Sequence, residues 1–152
     1  MAVTRREDRM AAYDISKHAR KIGPATGLAA DLARRLDETG RPIRVGLIGS
    51  GEMGTDIVTQ CQQMTGITVA AIAEINIDAA KKALTIAGRG EEVQTADGAA
   101  AFTKAIESGK AAVTQDAQIV CKSDHIDVVI DATGKPAVGA EIGLTAMEHG
   151  KH

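Results

Sequence analysis

A chain of 152 residues with 18 basic and 20 acidic side chains carries a formal charge of −2, which leaves no electrostatic footprint for nucleic acid or an anionic membrane. No apolar run approaches the roughly twenty residues that cross a bilayer, no leader-like segment is visible, and Cys61 and Cys121 stand far apart without metal-binding spacing. A cytoplasmic protein of one domain without a metal site is therefore expected, with an aliphatic core, because the chain has one Tyr, one Phe and no Trp.

Residues 1–23 mix Arg5, Arg6, Arg9, Arg20 and Lys21 with Glu7, Asp8 and Asp14, so they form no coherent basic patch and read as a solvated or partly helical extension. Leu28, Leu32 and Leu36 then recur at helical spacing, and Gly40-Arg41-Pro42 ends that helix. This divides the chain into a helical extension over 1–40 and a main domain over 41–152.

The main domain opens with an apolar strand, Ile43, Val45, Leu47 and Ile48, running into glycines spaced G-x-G-x-x-G at Gly49, Gly51 and Gly54. That arrangement reads as a dinucleotide-binding turn. Gly49 permits the sharp turn, Gly51 the approach of a pyrophosphate, and Gly54 the close packing of the next helix. The anion would rest on free amides of the helix's first turn, so Gly49, Ser50, Gly51, Glu52, Met53 and Gly54 form the candidate cradle. Ile57, Val58, Cys61 and Met64 give the helix its apolar stripe. A second strand, Ile67 to Ala73, ends at Glu74, twenty residues beyond Gly54, where such folds place a carboxylate that accepts the adenosine ribose hydroxyls.

Further on, Asp78 is expected to cap an alanine-rich helix that stops at Gly88. A turn over 88–92, a helix from Asp97 to Ser108, a third strand over Ala111–Thr114 and an inward-packing segment around Ile119, Val120 and Cys121 follow. Ile126 to Gly134 reads as the fourth strand and its turn. Placed beside the first strand across the switch point, it brings Ala132, Thr133 and Gly134 to the ribose and nicotinamide side of the cofactor. A last helix with Val138, Ile142 and Ala146 on one face closes at Gly150. The whole is an α/β, Rossmann-type doubly wound parallel sheet, incomplete on its C-terminal side. The fourth strand would then show an open edge and apolar surface, and the isolated chain should associate or be poorly soluble.

Among the remaining ionisable groups, Lys135 is the one aimed toward the nicotinamide side. His125, His149 and His152 have no partner at catalytic spacing and read as surface or cap residues, Asp131 as structural, and Cys61 as a small core residue.

Taken together, Arg41-Pro-Ile-Arg-Val-Gly-Leu-Ile-Gly-Ser-Gly-Glu-Met-Gly54, Asp127-Val-Val-Ile-Asp-Ala-Thr-Gly134 and Met147-Glu-His-Gly-Lys-His152 resemble the N-terminal cofactor domain of homoserine-dehydrogenase-like oxidoreductases that carry a C-terminal SAF-type domain. The resemblance covers Leu28 to His152. That group includes the 1-deoxy-D-xylulose 5-phosphate reductoisomerase-like enzymes, which make 2-C-methyl-D-erythritol 4-phosphate for isoprenoid synthesis. It implies a cytoplasmic, homodimeric, NADP-dependent enzyme of several hundred residues, with its substrate and catalytic residues mostly beyond this chain. Gly49, Gly51, Gly54, Glu74 and the Thr133-Gly134 turn are the positions it carries over.

Residue chemistry pulls the other way on the cofactor. A carboxylate at Glu74 repels a 2′-phosphate and favours NAD, unless Arg89 or the pair Lys81 and Lys82 offsets it. The leading reading is hydride transfer between a nicotinamide cofactor and a small carbonyl or phosphorylated substrate. A non-catalytic NAD(H)-sensing module shares the same motifs, and S-adenosylmethionine is a third ligand class, against which the helix position of Gly54 argues.

Overall fold

The structure is a computed structural model that describes residues 26–152. The basic segment expected over residues 1–23 lies outside them.

In chain order the elements are α1 (Leu28–Thr39), β1 (Ile43–Ile48), α2 (Glu52–Gln62), β2 (Ile67–Ala73), α3 (Ile77–Ile86), a short 3₁₀ turn (Gly90–Glu92), β3 (Val93–Thr95), α4 (Ala99–Glu107), β4 (Ala111–Thr114), α5 (Ala117–Lys122), β5 (Val128–Asp131) and α6 (Pro136–Glu148). The five strands form one sheet in the order β3-β4-β2-β1-β5, and each neighbouring pair is parallel. Sheets of this kind are covered on both faces, and two apolar clusters do so here. Val45, Leu47, Val58, Ile72, Ala80 and Leu84 pack one face under α2 and α3. Phe102, Ala105, Val120, Cys121, Ile142 and Ala146 pack the other under α4, α5 and α6.

Gly46 in the middle of β1 has a packing reason. A side chain there would collide with Val120 and meet Ile126, so the missing Cβ lets the α5–β5 segment sit directly on the sheet. The β1–β2 register shifts between Val45 and Gly46, with Val45 opposite Val69 and Gly46 opposite Ala71. The strand ends nevertheless come level: Ile48 faces Ala73 on one side and Asp131 on the other.

Several expectations are corrected. Ala111–Thr114 is the fourth strand, and the strand expected from Ile126 is the fifth and begins at Val128, because Val93–Thr95 forms a three-residue edge strand too short and too exposed to show as an apolar run. Helix α3 is capped by Asn76, whose Oδ1 accepts the N–H groups of Asp78 and Ala79 at 3.1 and 3.3 Å, while Asp78 lies inside the first turn. Helix α2 ends at Gln62, so Met64 falls off the apolar stripe and is exposed. The chain turns at Gly66 instead, at φ 85°, against the carbonyl of Leu32, which ties α1 to the sheet. On α6, Ile142 and Ala146 are buried as expected, whereas Val138 faces outward.

Candidate functional site

The C-terminal ends of β1, β2, β4 and β5 converge because their hydrogen-bond ladders continue one residue into the loops. Gly49 N–H donates to the Ala73 carbonyl at 2.8 Å, Ala132 N–H to that of Ile48 at 2.8 Å, and Glu74 N–H to that of Thr114 at 2.9 Å. The glycine loop is thus fastened to both neighbouring strands.

The three glycines have separable reasons for being glycine. Gly49 adopts φ 91°, and a Cβ on it would press on the backbone of Ala132 and Thr133 at about 3.0 Å, so both conformation and space demand it. A Cβ on Gly54 would overlap the carbonyl oxygen of Gly49, so this residue lets α2 dock on the loop. Gly51 differs: its φ is −64°, open to any residue, and no protein atom lies within 4 Å of where its Cβ would stand. Nothing in the protein requires a glycine there, which is the cradle expected for a group from outside. Gly51 is also the N-cap of α2 and provides no side-chain cap, leaving the first-turn amides without an intrahelical partner. The residues present therefore fit a pyrophosphate.

Glu74 stands beside this cradle. Its Oε2 accepts the Ser50 N–H at 2.8 Å and the Ser50 hydroxyl at 3.0 Å, and its Oε1 accepts the Asn76 N–H at 3.2 Å. Partial burial pushes the carboxyl up, but the bonds from Ser50, Asn76 and Ile75 outweigh it and hold the group below the usual carboxylate range. A carboxylate has about four acceptor positions, so capacity remains for ribose hydroxyls.

A cleft of about 370 Å³ joins these parts, lined by Gly49, Gly51, Glu74, Ala132, Thr133 and Lys135 among others. The structure therefore brings Gly49, Gly51, Glu74, Ala132 and Thr133 together as the spacing suggested. Ser50 is 5 % exposed and lies beneath them, reaching the cleft through Glu74. Glu52 and Met53 form the first turn of α2, with the Met53 side chain 67 % exposed and Glu52 lining a groove toward α3. Gly54 is buried, and Gly134, at φ 64°, completes the turn after Thr133.

Arg89 does not reach the site. Its guanidinium donates to the Val69 carbonyl at 2.7 Å and to Glu92 at 3.0 Å, near the start of β2 and far along the strand from Glu74. Lys82 lies in the α2–α3 groove with Ser50 and Glu52, so it is the one of the three expected cations that the structure brings near the loop. His125 sits near Arg44 and Glu107, and the His149 ring pairs with the Thr145 carbonyl at 2.8 Å. Among the described residues no cluster of His, Cys, Asp or Glu could hold a metal ion, and no helix is long and apolar enough to cross a membrane.

Sequence reasoning missed one wall of the cleft: Ile75, 75 % exposed, with Gln115 and Ala117 across from it. Gln115 Nε2 donates to the Ile75 carbonyl at 2.7 Å and bridges the two loops. Its place directly after β4, the strand paired with β2, was the available signal. A second cleft of about 420 Å³ runs along α4 and α5, away from the glycine loop.

No protein-family model matches the chain. Over 113 residues it is 30 % identical to homoserine dehydrogenase from Methylobacillus glycogenes, a match spanning 74 % of this chain and 24 % of that protein. Among solved structures it is similar to myo-inositol dehydrogenase from Lactobacillus casei in complex with NAD(H) and myo-inositol, with TM-score 0.54, 23 % identity, and coverage of 72 % of this chain and 26 % of that one. Scyllo-inositol dehydrogenase from Lactobacillus casei with bound NAD(H) and scyllo-inositol gives TM-score 0.54 at 16 % identity, over 74 % of this chain and 27 % of that one. The chain spans about a quarter of the length of these proteins. The structural likeness establishes the fold, a Rossmann-type α/β arrangement with a parallel sheet.

Proposed function

We propose that this chain is the cofactor-binding portion of a nicotinamide-dependent oxidoreductase and that it prefers NAD(H) to NADP(H). The observation that carries the reading is the ionised Glu74 carboxylate, held by Ser50 beside an uncapped α2 N-terminus and an unobstructed Gly51. Backbone amides hold the pyrophosphate, Glu74 takes the adenosine ribose, the Ile75 and Ala117 walls flank the adenine, and Thr133 shapes the nicotinamide end. The bound nicotinamide supplies the hydride chemistry; the chain's own residues bind, orient and exclude water.

A homoserine-dehydrogenase-like activity on a small carbonyl or alcohol is the substrate reading that the 30 % identity supports. The reductoisomerase-like reading rests on the motif resemblance alone. The full-length protein is taken as a cytoplasmic homodimer with a small-molecule substrate, free of nucleic acid and membrane.

Titration of NADH and NADPH into the chain, followed by cofactor fluorescence, tests the cofactor reading, and the absence of Trp keeps protein emission low. Tighter NADH binding is expected. Tighter NADPH binding overturns the preference, and binding of neither overturns the cofactor assignment. Homoserine-dependent reduction of NAD⁺ by the full-length protein tests the substrate class.

A further inference from the structure

Building on the reading that this cleft takes a dinucleotide, we propose that Ser50 is a positioning residue that sets the choice between NAD and NADP by pinning Glu74. The Ser50 N–H and hydroxyl both donate to one oxygen, Oε2, from a residue that is itself almost wholly buried. Thr55 Oγ1 donates in turn to the Ser50 carbonyl at 3.3 Å, and Gly49 is fastened to β2, so the donor pair has a fixed base. Swinging Glu74 aside would leave a buried hydroxyl and a buried N–H unpaired, a cost well above that of an ordinary rotamer change. The other oxygen, Oε1, accepts from Asn76 N–H, and Glu74 itself lines the cleft. A 2′-hydroxyl therefore meets a ready acceptor, and a 2′-phosphate meets an anion that cannot retreat.

The surrounding charges do not cancel that anion. Behind Ser50, α2 contributes Glu52 and Asp56 against Lys82 of α3, and Lys135 stands across the cleft. Ser50 thus converts a merely acidic neighbourhood into a fixed discriminator.

The test is a set of NADH and NADPH titrations on the chain carrying Ser50→Ala, Ser50→Thr, Glu74→Gln, and Ser50→Ala with Glu74→Gln together. Ser50→Ala should weaken NADH about three- to tenfold, as expected for one lost hydrogen bond, and NADPH less, so that the preference narrows. Ser50→Thr keeps the hydroxyl and should keep the preference. In the double variant the serine change should cost less than it does beside Glu74, because the amide oxygen of glutamine accepts the hydroxyl more weakly than a carboxylate, and a merely structural role of the loop would not produce that. Equal losses for both cofactors, or full additivity in the double variant, overturn the role of Ser50 while leaving the cofactor reading intact. Failure of the wild-type chain to bind either cofactor overturns both. If alanine disturbs folding, Ser50→Gly, in a loop that already holds two glycines, repeats the measurement.

Discussion

Two glycines three residues apart carry opposite consequences for mutation. Gly54→Ala drives a methyl group into the Gly49 carbonyl, a backbone atom of a residue whose own N–H is fastened to β2. Overpacking of this kind costs about 1–3 kcal/mol, so a clear drop in thermal midpoint is expected in calorimetry. Gly51→Ala meets open space at a permitted φ, so the midpoint should stay the same or rise slightly, yet NADH affinity should fall because the methyl group enters the cofactor's cradle. A Gly51→Ala chain that binds NADH as tightly as wild type would show that the pyrophosphate does not lie there. Glu74→Gln should weaken NADH roughly tenfold, the scale of a lost charged hydrogen bond, and improve NADPH in the same titrations. Gly49 and Gly54 were readable in the sequence because each answers a local backbone or packing demand, and Gly51 and Glu74 because their spacing from those two matches a dinucleotide-binding turn. The Ser50 partnership was not, since it depends on a side-chain contact across twenty-four residues.

At the scale of elements, Asp127 fastens the start of β5 to the start of β1. Arg41 donates to its two oxygens at 3.1 and 2.9 Å, and the Arg44 N–H adds a bond at 2.8 Å. Burial pushes this carboxyl up, but the Arg44 N–H and the Arg41 guanidinium outweigh it, so the folded-state value lies below the ordinary one. A depressed value means that the stabilisation is complete above the unfolded value of about 3.9 and is lost as pH falls through the folded one. Asp127→Asn should therefore cost about 1–2 kcal/mol at neutral pH, at the low end for charged bonds because Arg41 is partly exposed. It should also flatten the acid limb of the stability profile below about pH 4, measured by denaturant unfolding. An unchanged acid limb in the variant would remove Asp127 from the clamp. The strands that pack both faces, β1, β2 and β4, were legible because burial forces apolar runs. β3 was not, since two part-buried residues and an exposed Thr95 leave no pattern. The cap of α3 moved to Asn76 because two acceptable capping residues stood two apart, and the turn out of Glu74 selected the earlier one.

The order β3-β4-β2-β1-β5 leaves the molecule lopsided. β1 and β2 are central and dry, whereas Val128, Val129 and Ile130 of β5 are only half buried. On the outer side of β5 the backbone of His152 makes two bonds, accepting from Val129 N–H at 2.8 Å and donating to the Asp127 carbonyl at 3.2 Å. The rest of that edge is paired with no other strand among the described residues. Helix α6 above it is apolar on more than its packed face, with Leu144 60 % and Met147 66 % exposed one helical turn apart. A half-paired strand edge next to an apolar helix face is the combination that drives edge-to-edge association. The chain should therefore self-associate at moderate concentration, visible as a concentration-dependent mass in light scattering. Replacing Leu144 with Glu and Met147 with Lys leaves Ile142 and Ala146 in the core, so folding should be retained while the apparent mass falls toward that of the monomer. If the double variant associates as strongly as wild type, α6 is not the sticking face.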